Sequence, residues 1–306
     1  MMLKYHLLAL TLLLSSATMA LDVTEVFDAV EHGEVTSPDG VKIHYAEIGE
    51  GPLVIMVHGF PDYWYSWRYQ IAALADDYHV VAIDTRGYNL SDKPKGGAAY
   101  SGEKIIGDLI NVISTLGEGK PVTLMGHDWG GAFSWTVAML APQLVERLVI
   151  FNLPHPNGFS RELANNKVQQ EMSDYAREFQ KPGSEEKINP EILADFFRKG
   201  PRTPIDRERY ITAMENSDMK ALMAYYKAGY PRPPYKYGGG EGTPKVKVPV
   251  LQFHGIDDPA ILTDGVNSTW EWMDAPWTLV TVPNAGHWVH HDQSELVNKA
   301  LVDWLK

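Results

Sequence analysis

The chain has 306 residues, 44% of them hydrophobic and 22% charged, with no cysteine and a formal net charge of −12. That length corresponds to about two ordinary domains or one large α/β domain, with enough apolar residues for a packed core, which excludes a disordered or collagen-like chain. Basic side chains number 27 against 39 acidic ones, so a nucleic-acid or anionic-membrane partner is not expected, and the missing cysteines remove disulfides, thiolate metal sites and a cysteine nucleophile together.

At the N-terminus Lys4 precedes an apolar run from Leu7 to Leu14, which ends in Ser15, Ser16, Ala17, Thr18, Met19 and Ala20. A basic start, a short apolar stretch and small residues at Thr18 and Ala20 describe an export signal over residues 1–20, cut after Ala20. The run is about half of the roughly 20 apolar residues that a membrane span needs, so release into the periplasm or medium is expected rather than anchoring.

Gly33 to Ile48 reads as a hairpin turning at Pro38-Asp39-Gly40. Continuous apolar runs follow at LVIMVHG, HVVAIDTRG, PVTLMGHD and RLVIFN, each of the kind that a strand buried on both faces shows. Helical patterns over Ser66–Leu74, Ser101–Leu116 and Gly131–Leu140 separate them, so strand and helix alternate, as in a parallel sheet with crossover helices. Between Pro154 and Lys247 the strands stop. This stretch is helical and polar (RELANNKVQQEMSDYAREF, PEILADFFRKG, DRERYITAMEN, MKALMAYYKAG) and closes on the irregular PRPPYKYGGGEGTP, a linker back to the sheet. PVLQFHG, TLVTVPN and a last helix over Ser294–Leu305 complete the alternation. The organisation expected is a core over residues 21–153 and 248–306, interrupted by a helical cap at 154–247 over the sheet edge where open α/β folds bind ligands.

The chemistry concentrates at Gly126-His127-Asp128-Trp129-Gly130, between a buried strand and a helix. Small residues flanking a central one suit a tight strand-to-helix turn; in its hydrolase form the central residue is the nucleophile and the next N–H helps to form an oxyanion hole. An aspartate after a strand can also simply cap a helix, but the glycines on both sides favour the nucleophile reading for Asp128. His58-Gly59-Phe60-Pro61 ends an earlier strand, which makes the Phe60 and Trp129 N–H groups the candidate oxyanion donors. His58 and Pro61, with Trp64 from the aromatic series Tyr63, Trp64, Tyr65 and Trp67, are expected in the substrate pocket, core packing being the alternative for the aromatic residues and a structural role for His58.

The segments HGFPDYWYSWRYQ, DTRGYNLSDKP, GHDWGGAFSW and AGHW together resemble the epoxide hydrolases of the α/β-hydrolase fold and their relatives, the haloalkane dehalogenases, over nearly the whole mature chain. The resemblance implies a mostly parallel eight-stranded sheet with helices on both faces, and a cap inserted after the sixth strand. It places the base at His287, in Asn284-Ala285-Gly286-His287 before the last helix, in preference to His290 or His291. It places the orienting acid at Asp258 in Gly255-Ile256-Asp257-Asp258, with Asp257 the alternative; the site after the sixth strand that some relatives use for the acid is near Asn152, which bears no charge.

An aspartate at the elbow is ionised at neutral pH and attacks carbon directly, forming an alkyl ester that His-activated water then hydrolyses. Esterase or peptidase activity is therefore not expected. Opening an epoxide releases a strongly basic alkoxide, which needs a hydroxyl donor, whereas a departing halide needs only N–H donors. Asp174-Tyr175 before Phe179-Gln180-Lys181-Pro182-Gly183, and Tyr225-Tyr226-Lys227, resemble the epoxide hydrolase segments that bear the two ring-opening tyrosines, which implies Tyr175 and Tyr226, with Tyr225 the alternative for the second. The Trp129 indole N–H is ambiguous, being suited to a halide as well. The expected activity is conversion of an epoxide and water to a vicinal diol without metal or organic cofactor; a dehalogenase on the same Asp128, His287 and Asp258, or a non-catalytic secreted binding protein, are the alternatives.

Overall fold

A computed structural model describes residues 21–196 and 203–306. The expected export segment, residues 1–20, lies outside the described residues, as does the end of the PEILADFFRKG segment.

Eight strands form one sheet: β1 (Glu31–Thr36), β2 (Lys42–Ile48), β3 (Leu53–Val57), β4 (His79–Ile83), β5 (Val122–His127), β6 (Val145–Phe151), β7 (Val250–Gly255) and β8 (Trp277–Val282), in the order β1-β2-β4-β3-β5-β6-β7-β8. β2 runs antiparallel to β1 and β4, and every other neighbouring pair is parallel. Every residue of β5 and β7 is buried, so the unbroken apolar runs do mark strands covered on both faces, while edge strand β1 buries only Val35.

The core helices are α1 (Val26–Ala29), α2 (Arg68–Leu74), α3 (Gly102–Leu116) and α4 (Trp129–Leu140). The cap contributes α5 (Pro156–Asn165), α6 (Lys167–Met172), α7 (Asp174–Phe179), α8 (Pro190–Ala194), α9 (Pro204–Asn216) and α10 (Met219–Gly229), and α11 (Val289–Asp292) and α12 (Ser294–Leu305) close the chain. Helix α12 packs on α2, and α3 on α4, each pair against the sheet. The polar stretch 161–179, which reads as continuous helix, is broken twice. Asn166 adopts extended backbone and its side chain accepts the Val168 N–H, and Ser173 leaves helical geometry before α7. Both are residues whose short polar side chains compete for nearby backbone groups.

Strand order determines which loops meet. Val57 pairs with Gly126, His127 with Phe151, Phe151 with Phe253, and Gly255 with Val282. The loops that begin at His58, Asp128, Asn152, Ile256 and Pro283 therefore emerge side by side at one sheet edge, under the cap.

Candidate active site

Asp128 stands between β5 and α4 with φ 52° and ψ −122°, a backbone conformation costing on the order of 1–3 kcal/mol for a residue with a Cβ. The chain can turn this sharply because the residues two before and two after Asp128 are glycines. A Cβ on Gly126 would lie 2.6 Å from the Gly130 carbonyl oxygen, and one on Gly130 would lie 2.1 Å from that of Val57. On the adjacent loop, a Cβ on Gly59 would sit 2.3 Å from Asp128 Oδ1, so the carboxylate occupies the space left by that glycine.

The Phe60 N–H donates to Asp128 Oδ1 at 2.8 Å. Trp129 is the first residue of α4, so its N–H has no acceptor within the helix and is available at the same place. His287 Nε2 lies 3.4 Å from Asp128 Oδ2, and its Nδ1 is 2.8 Å from Asp258 Oδ2. Asp258 Oδ1 accepts the N–H groups of Ala260 and Ile261 at 2.8 and 3.0 Å, and the Asn152 side-chain amide donates to Oδ2 at 2.8 Å. The structure thus brings Asp128, His287 and Asp258 into one hydrogen-bonded line. Asp257 is exposed, and His290 and His291 turn to Ser66 beneath the sheet edge.

Burial pushes the Asp128 carboxyl up, but the hydrogen bond and charge of His287, together with His127 and the Phe60 N–H, outweigh it and hold the group below its ordinary value. Asp258 is likewise lowered, burial being outweighed by His287, His254 and the Ala260 N–H. For His287 burial acts downward, while Asp258 and Asp128 act upward more strongly and raise it to about 10. At neutral pH the resting site therefore holds an imidazolium between two carboxylates.

Above Asp128 is a cavity of about 180 Å³, walled by Trp129, Leu153, Phe159, Tyr175, Tyr226, Tyr230 and Ile261 among others. The Tyr175 and Tyr226 rings meet edge to face, their centroids 6.0 Å apart. Burial, foremost, lifts both phenols well above the ordinary tyrosine value, so both stay protonated. Tyr226 also meets the Trp129 ring edge to face, with centroids 5.4 Å apart. Tyr225 points elsewhere: its hydroxyl donates to the Arg86 carbonyl at 2.8 Å, anchoring cap to core.

The expected pocket residues His58, Pro61 and Trp64 are not among those walling this cavity. His58 turns back toward β4: its Nε2 accepts the Thr85 N–H at 3.0 Å, which leaves its Nδ1 proton to donate to the Gly59 carbonyl at 2.8 Å. Pro61 follows Phe60 across a cis peptide, and the Phe60 N–H donates to Asp128. Trp64 stacks on Phe27 in the wall of a different cavity, beside His32 and α9. These assignments fail because adjacency in sequence to a site loop does not say which way a side chain turns.

Sequence reasoning also passed over Asn152, Tyr230 and His127. The sequence marks Asn152 as a position without charge; its side-chain amide donates to the acid supplied after β7. The His127 Nε2 lies 2.8 Å from the His287 carbonyl, under the base. Burial, with the nearby His287 charge, lowers His127 to about 4, so it is neutral. Among the described residues, no group of three or more His, Cys, Asp or Glu side chains is arranged to hold a metal ion.

A sequence profile of the alpha/beta hydrolase fold matches residues 52–294. Epoxide hydrolase 3 of Xenopus tropicalis is 33% identical over 292 residues, covering 90% of this chain and 78% of that protein. Human epoxide hydrolase 4 is 32% identical over 283 residues, covering 87% and 76%. Among solved structures, the inhibitor complex of a Bacillus megaterium epoxide hydrolase superposes with a TM-score of 0.79 at 29% identity, over 89% of this chain and 99% of that one.

Proposed function

The chain belongs to the α/β-hydrolase fold family and, within it, to the epoxide hydrolases, and on that premise we propose that it converts an epoxide to a vicinal diol through an ester on Asp128. One observation carries the reading beyond the family: an ionised carboxylate shares a largely apolar cavity with two protonated tyrosines. A nucleophile on one side of the substrate and proton donors on the other are what opening an epoxide requires.

In the first step an Asp128 oxygen attacks an epoxide carbon and the C–O bond of the ring breaks. Tyr175 and Tyr226 donate to the departing oxygen, one of them giving up its proton to the alkoxide. Ester formation removes the Asp128 charge, and with it one of the two carboxylates that hold the proton on His287. The imidazole then returns that proton, through water, to the ionised tyrosine and takes one from the water that attacks the ester carbonyl. Charge on the carbonyl oxygen falls to the Phe60 and Trp129 N–H groups, and collapse breaks the ester C–O bond, the proton of the new carboxyl passing to the departing oxygen, so that the diol leaves and the Asp128 carboxylate returns. Asp258 keeps the imidazole oriented throughout.

The Trp129 indole bears on the dehalogenase alternative. Its ring meets that of Tyr226 edge to face, which supports a role in positioning that tyrosine rather than receiving a halide. A cavity of about 180 Å³ suits a small substrate. Purified protein given styrene oxide and, separately, a bromoalkane should form diol from the first; halide release without diol formation overturns the reading. Export with cleavage after Ala20 belongs to the same proposal: a mature N-terminus at Leu21 supports it, and residues 1–20 retained in the recovered protein count against it.

A further inference from the structure

Gln169 is a fully buried polar residue of the cap to which the proposed reaction assigns no task. Its Oε1 accepts the Leu262 N–H at 2.7 Å, and its Nε2 donates to the Ala260 carbonyl at 2.9 Å and to Ser173 Oγ at 3.1 Å. Leu262 and Ala260 belong to the core turn that begins at Asp258. Ser173 is the residue from which α7 starts, and α7 carries Tyr175. Both protons of the Gln169 amide are thus committed, one to the acid turn and one to the start of the tyrosine helix.

Ser173 is equally committed. Its hydroxyl donates to the Gln169 backbone carbonyl at 2.8 Å and also accepts from the Tyr230 hydroxyl at 2.9 Å, in the cavity wall. It therefore gives α7, a helix of six residues, no side-chain cap, and the helix start is held from outside. The acid turn depends less on this link, because Asp258 keeps the Ala260 and Ile261 N–H groups, Asn152 and His287 as partners.

We propose that Gln169 is a positioning residue for ring opening: it ties the start of α7 to the acid turn and so fixes the Tyr175 hydroxyl over Asp128. The inference rests on the reading of Tyr175 as a donor to the epoxide oxygen. Loss of the link lets α7 shift, and a misplacement of about 1 Å can cost up to ~100-fold in rate. Ester formation should suffer while ester hydrolysis, which uses His287 and Asp258, is spared.

The test follows ester formation and decay separately, by rapid quench and mass spectrometry of mature protein in single turnover with styrene oxide. Gln169→Met, close in volume but without the amide, should slow ester formation about tenfold or more and leave decay within about threefold. Gln169→Glu should recover ester formation at low pH, where a protonated carboxyl can both accept and donate, and lose it as ionisation turns a charge on the Ala260 carbonyl. Ser173→Ala breaks the other end of the link and serves if Gln169→Met does not fold, with the same selective loss expected. Folded variants that form ester at the wild-type rate, or that lose both steps equally, overturn the inference alone. Wild-type protein that forms no ester overturns the functional reading and the inference together.

Discussion

The charge of His287 is decided by the fold. Burial disfavours its charge, yet Asp258 and Asp128 raise it from an ordinary 6.5 to about 10 in the folded protein. A group bound more tightly to its proton when folded stabilises the fold fully below pH 6.5, and that contribution drains away as pH rises through about 10. Asp128 and Asp258, lowered from 3.8, act in the opposite sense: their contribution is present above that value and is lost in acid. The unfolding midpoint should therefore fall between pH 7 and 10, and His287→Gln should flatten that limb; equal slopes for both proteins would contradict the charge assignment. Tyr175→Phe and Tyr226→Phe should each lower the rate of ester formation from an epoxide by roughly 100-fold or more, since each removes a proton donor from the ring oxygen. Rates within threefold of wild type would show that neither hydroxyl reaches it. Asp128 was legible in its glycine frame, whereas His287, Asp258, Tyr175 and Tyr226 were implied by the resemblance to the epoxide hydrolases, and the structure gathers all five at one sheet edge. Asn152 and Gln169 have neither support: their roles arise from partners 106 and 93 residues away.

Among the elements, the strand-to-helix turn tolerates little added bulk. Gly130 lies where a Cβ would meet the Val57 and His58 carbonyl oxygens at 2.1 and 2.5 Å, and backbone cannot step aside as a flexible side chain can. Gly130→Ala should destabilise the protein by about 1–3 kcal/mol, an overpacking cost seen as a lowered denaturant midpoint. Gly40→Ala, in the β1–β2 turn, meets no atom within 4 Å and is the control for the steric part of that effect, its own strain coming from φ 86°. Indistinguishable midpoints for Gly130→Ala and wild type would mean that the β3 loop and the elbow are not in contact as described. The strands were legible because full burial writes an unbroken apolar run. The cap helices were less so, because a side-chain hydrogen bond at Asn166 interrupts a polar helical pattern without altering its composition.

For the molecule as a whole, the cap is held against the core by hydrogen bonds on several elements. Tyr225 bonds the Arg86 carbonyl, the Asp218 N–H donates to the Gly87 carbonyl at 3.1 Å, and Ser217 Oγ accepts the Asn89 N–H at 2.8 Å. This docking buries Asp128 and shields its carboxylate from bulk water, where an attack on carbon of the kind proposed would be slowed by solvation. Length and composition allowed two ordinary domains or one large α/β domain without disulfides, and the alternation of strand and helix patterns favoured the second; how the cap would close, and so which side chains would face the substrate, could not be read, because the Cα path of the loops decides it. That is why Tyr230 entered the cavity wall unannounced and Trp64 left it.

The central claim is that Asp128, and not water, makes the first bond to carbon. A single turnover with enzyme in excess over styrene oxide, carried out in ¹⁸O-water and followed by mass spectrometry of the Asp128 peptide and the diol, tests it directly. The account predicts ¹⁸O in the Asp128 carboxylate and none in the diol, because the oxygen passed to carbon comes from the aspartate and is replaced there from water. Label in the diol with an unlabelled Asp128 would contradict it.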